Sequence, residues 1–134
     1  MGVPSTCLSI KSYVEADEGY FAAYESYQPN LDIIAQVRVL RPEAHVITPS
    51  RRTCPDCARH IPRMARIADH LPGWTWEVFD STPNAERRAR LGITRIPTFI
   101  VYDREGGNEL GRIVENPTSG SLEQDLLQIM RAAG

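Results

Sequence analysis

The sequence predicts an α/β domain: a central mixed β-sheet flanked by helices, with an N-terminal helical extension. Three observations predict it. Segments of helical and strand periodicity alternate from Ala44 onward in the order β, α, β, α, β, β, α. The first of these form a strand–helix–strand crossover, which requires parallel strands with the helix packed on the sheet. The last two strands are joined by the short turn Glu105-Gly106-Gly107-Asn108, the mark of an antiparallel hairpin.

Each element follows from its residues. Met1–Ser12 carries Gly2, Pro4, Ser5 and Ser9 and reads as a loose lead-in. Asp17–Tyr27 reads as a helix with Tyr20, Tyr24 and Tyr27 on one face as core or partial core, and Pro29-Asn30 breaks it. Leu31–Leu40 places Ile33, Ile34, Val37 and Leu40 at helical spacing and stops at Pro42. Ala44–Pro49 is a short apolar run suited to a buried strand. The helix from about Cys54 to His70 offers Ile61, Met64, Ala65, Ala68 and Leu71 to the core, and Pro72-Gly73 ends it. Pro62 lies inside that helix and is expected to kink it, unless the helix begins later. Trp74–Phe79 alternates like a strand, with Trp74 and Trp76 as packing residues. Asn84–Leu91 is a short helix with Gly92 as its C-terminal cap. Thr98–Asp103 and Glu109–Glu115 are strands, and Ser121 opens a final helix with Leu122, Leu126, Ile129 and Met130 on its apolar side.

At 134 residues the chain is expected to be one domain, 1–134, with an N-terminal helical segment over 1–43 and a core over 44–134. A net charge of −2 argues against a nucleic-acid partner. Arginine outnumbers lysine fourteen to one, and Lys11 is the single lysine. Three cysteines are too few, and odd in number, for a disulfide scaffold. No signal-peptide pattern opens the chain, and no run approaches the roughly 20 apolar residues of a membrane span. The expectation is a cytoplasmic protein without membrane partners.

The chemistry concentrates in Thr53-Cys54-Pro55-Asp56-Cys57. A thiol attacks a disulfide only as thiolate. Cys54 falls at a helix N-terminus, where unpaired N–H groups and the helix dipole favour negative charge. Pro55 suits the first turn because it lacks an N–H that would have no partner. Arg51 and Arg52 add positive potential, and Asp56 opposes it. Cys57, one turn on and more buried, is the natural resolving thiol. Two unreactive core thiols or half of a metal site are the plainer alternatives. Cys54-x-x-Cys57-x-x-His60 supplies three zinc-ligand types, with His45, His70 or Cys7 as a distant fourth, but matches no common closed zinc module, so no metal is expected. His60 is expected at the surface near the site. Arg59, Arg63 and Arg66 fall on one helix face, as a basic rim for an acidic partner or, more plainly, a solvated face paired with the acidic N-terminal helix. Cys7 is assigned no role.

Three features in order, C-P-D-C after a strand, Pro62 five residues beyond Cys57, and Gly92-Ile93-Thr94-Arg95-Ile96-Pro97-Thr98, carry a family resemblance. From about Ala44 to its C-terminus the chain resembles the thioredoxin superfamily. The resemblance implies the thioredoxin fold, Cys54 as nucleophile and Cys57 as resolving thiol. It implies a cis Ile96–Pro97 bond facing the cysteines, with the Ile96 backbone pairing an extended substrate segment. Thr53, Ile96 and Pro97 would make up the substrate-binding set. The chain departs from the family in its N-terminal segment, which has two predicted helices and no clear first strand, and at three sites near the cysteines. Thr53 stands where thioredoxins usually have tryptophan, Thr48 where they carry a buried acid, and Pro55-Asp56 between the cysteines.

The expected activity is thiol–disulfide oxidoreduction, in the reductase direction, through a mixed disulfide. Its partners would be a disulfide-containing protein or a small-molecule thiol. The dithiol would be restored by an external reductant of the thioredoxin reductase or glutathione type. No bound cofactor is expected. The alternative is a thioredoxin-fold binding or scaffold module without redox turnover, its N-terminal helices forming a partner or dimer surface.

Overall fold

The computed structural model describes residues 7–133. In chain order its elements are β1 (Cys7–Ser9), α1 (Ile10–Glu15), α2 (Glu18–Ser26), α3 (Leu31–Leu40), β2 (Ala44–Ser50), α4 (Pro55–Ala68), β3 (Trp74–Asp80), α5 (Ala85–Arg90), β4 (Thr98–Tyr102), β5 (Glu109–Val114) and α6 (Leu122–Ala133). The strands form one mixed sheet in the order β1-β3-β2-β4-β5. β2 and β3 run parallel, with Ala44 opposite Trp74 and Ser50 opposite Asp80. The other neighbouring pairs are antiparallel.

The alternation of side chains along the strands splits the core between the two faces of the sheet. Val46, Val78, Phe99 and Val101 join the main core with α1, α2, α3, α4 and α6. Their immediate neighbours Ile47, Phe79 and Ile100 point the other way and pack with Leu91 and Ile93, at the end of α5. β2 is buried at six of its seven positions, as a strand covered on both faces should be.

The elements from α2 onward agree with the sequence reading to within two residues at each end. The difference lies at the start. Part of the expected lead-in, residues 1–6, lies outside the described residues, but Cys7–Ser9 forms a strand paired to Phe79, Val78 and Glu77 of β3. The segment over 1–43 is therefore not purely helical. Three residues with one aliphatic among them carry no strand signal; the open edge of β3 selects them. α1 follows, capped by Ser9, whose Oγ accepts from the Ser12 N–H at 3.2 Å. It buries Ile10, Tyr13 and Val14 within a turn and a half.

The N-terminal helices are fastened to the rest by tyrosines. The Tyr24 hydroxyl donates to the Asp69 carboxylate, and the Lys11 Nζ donates to the Tyr24 oxygen at 2.7 Å and lies 3.3 Å from Asp69. The Tyr27 hydroxyl and the Asn30 backbone N–H both donate to Glu123, at 2.7 Å each, and so join the α2–α3 corner to α6. Glu123 is buried, and these two donors take the place of its water. Arg66 lies over the Tyr24 ring and Arg63 over the Tyr27 ring, at 4.9 and 5.2 Å from their centroids. Two of the three arginines on the outer face of α4 are thus held by aromatic faces rather than by glutamates of α2. The third, Arg59, is 3.8 Å from Asp56 on its own helix.

α4 runs through Pro62, whose ring is buried, rather than beginning after it. Trp74 and Trp76 stack with ring centroids 5.6 Å apart, and the Trp74 indole N–H donates to the Arg41 carbonyl at 2.8 Å. Gly73, just before β3, has no room for a side chain, since a Cβ there would stand 2.1 Å from the Pro42 carbonyl oxygen. Gly92 closes α5 with a φ of +68°, the conformation that favours glycine.

Candidate functional site

The site forms where the β2–α4 loop meets the segment leading into β4. β2 ends at Ser50 and the chain turns through Arg51, Arg52 and Thr53. The Cys54 N–H donates to the Arg51 carbonyl at 3.0 Å. Cys54 is the N-cap of α4 in extended conformation, with Pro55 in the first turn, and its side chain makes no capping bond. The sulfur therefore stays free of the helix and sits beside its positive end. Cys54 is half-buried and Cys57 fully buried, and both are free thiols.

The Ile96–Pro97 peptide is cis. The Cys54 thiol donates to the Ile96 carbonyl at 3.9 Å, which puts the half-buried sulfur against the backbone just before Pro97. The Pro97 carbonyl in turn accepts from the Glu115 N–H at 2.7 Å, and the Thr98 hydroxyl donates to the Arg95 carbonyl at 2.6 Å. Five residues proposed from sequence thus gather in one place: Cys54, Cys57, Pro55, Ile96 and Pro97. Thr53 is exposed beside them, and Asp56 is partly buried on the first turn of α4.

Burial pushes the Cys57 thiol up to about 12, and the nearby Cys54 sulfur adds to the rise. The backbone at Arg51 and the Ser50 hydroxyl oppose it by hydrogen bonding that favours the thiolate. Ser50 is itself fully buried, 2.7 Å from the Tyr13 hydroxyl. Tyr13 also carries the Arg52 guanidinium on its ring, 3.7 Å from the centroid, with Tyr20 beside it. The Tyr20 hydroxyl donates to the Arg52 carbonyl at 3.1 Å. Arg52 is thus spent on α1 and α2. Thr48 is buried in β2 opposite Val78 and lies within the sheet.

His60 departs from expectation. It is buried, not at the surface, because its position on α4 faces inward one turn beyond Cys57. Its Nε2 pairs with Asn116 Oδ1 at 2.7 Å, and its Nδ1 is buried without a partner among the described residues.

Sequence reasoning missed Tyr13, Ser50 and Asn116. Ser50 alone left a trace, as the polar residue closing the strand that delivers the cysteines. No helix among the described residues is long and apolar enough to cross a membrane.

The family model described as thioredoxin matches residues 8–124. The chain belongs to the thioredoxin family, and the match takes in the N-terminal segment as well as the part from Ala44 onward. Among the curated proteins none matches. Solved structures share the fold. A Pseudomonas aeruginosa protein of unknown function is 17% identical with a TM-score of 0.65, covering 98% of this chain and 85% of its own. Fasciola hepatica thioredoxin is 21% identical with a TM-score of 0.54, over 73% of this chain and 91% of its own. Oxidised mitochondrial thioredoxin 3 from Saccharomyces cerevisiae is also 21% identical, with a TM-score of 0.53 over 79% and 98%. The fold is thus that of thioredoxin, and the close cysteine pair fits a thiol oxidoreductase.

Proposed function

We propose that the protein is a disulfide reductase. The reading is carried by one observation: a half-buried thiol at the tip of α4, 3.9 Å from the Ile96 carbonyl, with a fully buried second thiol one turn behind it. Cys54 attacks a partner disulfide as thiolate, forming a mixed disulfide and releasing the partner's first sulfur. Cys57 then loses its proton and attacks the Cys54 sulfur. The Cys54–Cys57 bond forms, the bond to the partner breaks, and the departing thiolate takes up a proton. Thr53, Ile96 and Pro97 receive the substrate, the Ile96 backbone pairing with an extended segment around its disulfide. Pro55 and Asp56 shape the turn between the thiols.

An external reductant, of the thioredoxin reductase or glutathione type, returns the pair to the dithiol. The substrate is a disulfide, carried by a protein or formed from a small-molecule thiol, and the exchange needs no bound cofactor. A reducing compartment such as the cytoplasm would suit this reaction, and the sparse cysteine usage supports that reading.

The test is reduction of insulin by wild type, Cys54→Ser, Cys57→Ser and the double variant. Turnover should vanish in both single variants, and Cys57→Ser should hold the partner as a mixed disulfide detectable by intact mass. Wild-type turnover no greater than that of the double variant overturns the reading in favour of a binding module.

A further inference from the structure

The turn that delivers Cys54 is gripped by the N-terminal helices. It runs from Ser50, the last residue of β2, to Cys54, the N-cap of α4. At its start the Ser50 carbonyl accepts from the Ser81 N–H at 2.9 Å, and the Ser50 hydroxyl is 2.7 Å from that of Tyr13 on α1. At its end the Cys54 N–H donates to the Arg51 carbonyl at 3.0 Å.

Arg52 is held in between. Its carbonyl accepts from the Tyr20 hydroxyl of α2 at 3.1 Å. Burial keeps that hydroxyl protonated well beyond the ordinary tyrosine range, so it stays a donor. The Arg52 guanidinium lies 3.7 Å from the Tyr13 ring centroid and 5.0 Å from that of Tyr20, and the two rings meet edge to face at 5.7 Å. Its Nη1 is buried without a hydrogen-bond partner among the described residues. Such burial costs free energy, which the two aromatic faces offset. The arrangement fits a clasp on the turn better than a charge offered to a ligand.

α2 is a firm base for that clasp. Tyr24, one turn beyond Tyr20, bonds Asp69, the C-cap of α4. One helix thus holds α4 at its far end and the turn ahead of it at the other. The turn leaves the Cys54 sulfur 3.9 Å from the Ile96 carbonyl. In the attack, the sulfur approaches along the axis of the partner disulfide. A bond to the nearer sulfur forms, and the farther sulfur leaves with the electron pair of the broken bond. A disulfide held by the Ile96 backbone cannot turn to meet the thiolate, so the thiolate must be placed in advance.

We infer that Tyr13 and Tyr20 are positioning residues for the nucleophile: through Arg52 they fix the turn that sets the Cys54 sulfur against Ile96, and so align its attack on a bound disulfide. The inference rests on the reductase reading above. It gives α1 and α2 a part in the chemistry although neither carries a reacting group.

The experiment compares two reactions of Cys54 in a Cys57→Ser background, each followed by peptide mass so that Cys7 does not contribute. One is mixed-disulfide formation with insulin, a partner that the protein must hold. The other is alkylation by iodoacetamide, a small reagent that needs only an accessible thiolate. Both rates are read on the alkaline plateau of their pH profiles, where ionisation no longer limits them. Tyr20→Phe removes the hydroxyl and keeps the ring. It should slow the attack on insulin about tenfold, short of the roughly hundredfold that a displacement of about 1 Å costs, and leave alkylation unchanged. Arg52→Leu takes the cation from both aromatic faces and should lose more. Arg52→Lys returns a cation to them and should regain part of the rate.

A general loss of structure would slow both reactions together. A parent protein that forms no mixed disulfide at Cys54 overturns the reductase reading and this inference with it. A mixed disulfide in the parent, with the two rates unchanged or falling in step in Tyr20→Phe, overturns this inference alone. If Tyr20→Phe does not fold, the arginine pair decides, and equal insulin rates for Arg52→Leu and Arg52→Lys overturn the inference.

Discussion

His60 Nε2 lies 2.7 Å from Asn116 Oδ1, joining the second turn of α4 to the bend that follows β5. Next to Asn116, Glu115 adopts a φ of +61° and gives its N–H to the Pro97 carbonyl. The helix that carries the cysteines and the segment that carries Pro97 are thereby braced against two adjacent residues, Asn116 and Glu115 respectively.

Removing that brace should cost stability. Asn116→Ala leaves both nitrogens of a buried imidazole without protein partners, at about 1–3 kcal/mol. A urea titration monitored by tryptophan fluorescence should show the midpoint fall with the slope unchanged. An unaltered midpoint would mean that the pair contributes nothing.

Glu123 should be as sensitive. Glu123→Ala strips the acceptor from both Tyr27 and Asn30 and should destabilise by about 3 kcal/mol. Glu123→Gln keeps the shape and one carbonyl oxygen and should lose less. Thermal melts of the two variants would rank them, and the reverse order would contradict this account of the α2–α3 corner.

Gly73→Ala should be costly despite adding a single methyl. Its Cβ would stand 2.1 Å from the Pro42 carbonyl oxygen, so backbone must move, at about 1–3 kcal/mol. Gly19→Ala is the control, since its Cβ meets nothing nearer than Asp17 at 3.4 Å. Equal melting temperatures for the two variants would sink the prediction.

Alkali should destabilise the fold in a defined window. Below pH 9.0, the ordinary thiol value, Cys57 holds its proton folded or unfolded. Between there and about 12 the unfolded chain ionises first, so stability falls as pH rises through that interval. Tyr13, Tyr20 and Tyr27, all raised by burial, act in the same direction above 10.0. Denaturation midpoints taken across this range should decline, and the decline should be shallower in Cys57→Ala. A parallel decline in the variant would remove Cys57 from the cause.

The crossover from β2 through α4 to β3 was legible because each element is long enough to repeat its own period and is bounded by proline or glycine. Cys54, Cys57 and Pro97 were legible because their spacing is local. β1 was not, because a three-residue strand has no period, and its pairing is decided by an edge some seventy residues away. Tyr13 and Ser50 are 37 positions apart, and His60 and Asn116 are 56 apart. Single side-chain contacts across such distances leave no pattern in a chain, only in its folded form. Tyrosines at helical spacing were read correctly as core, but the arginines resting on their rings follow from geometry alone.

Lys11 stands at the seam where Asp69 and Tyr24 meet it. As the single lysine, it is the sole side chain that an amine-reactive label can mark. Acetylation there would erase one of the two cations at that junction, Arg66 being the other, so one chemical handle reports directly on whether the leading helices are docked.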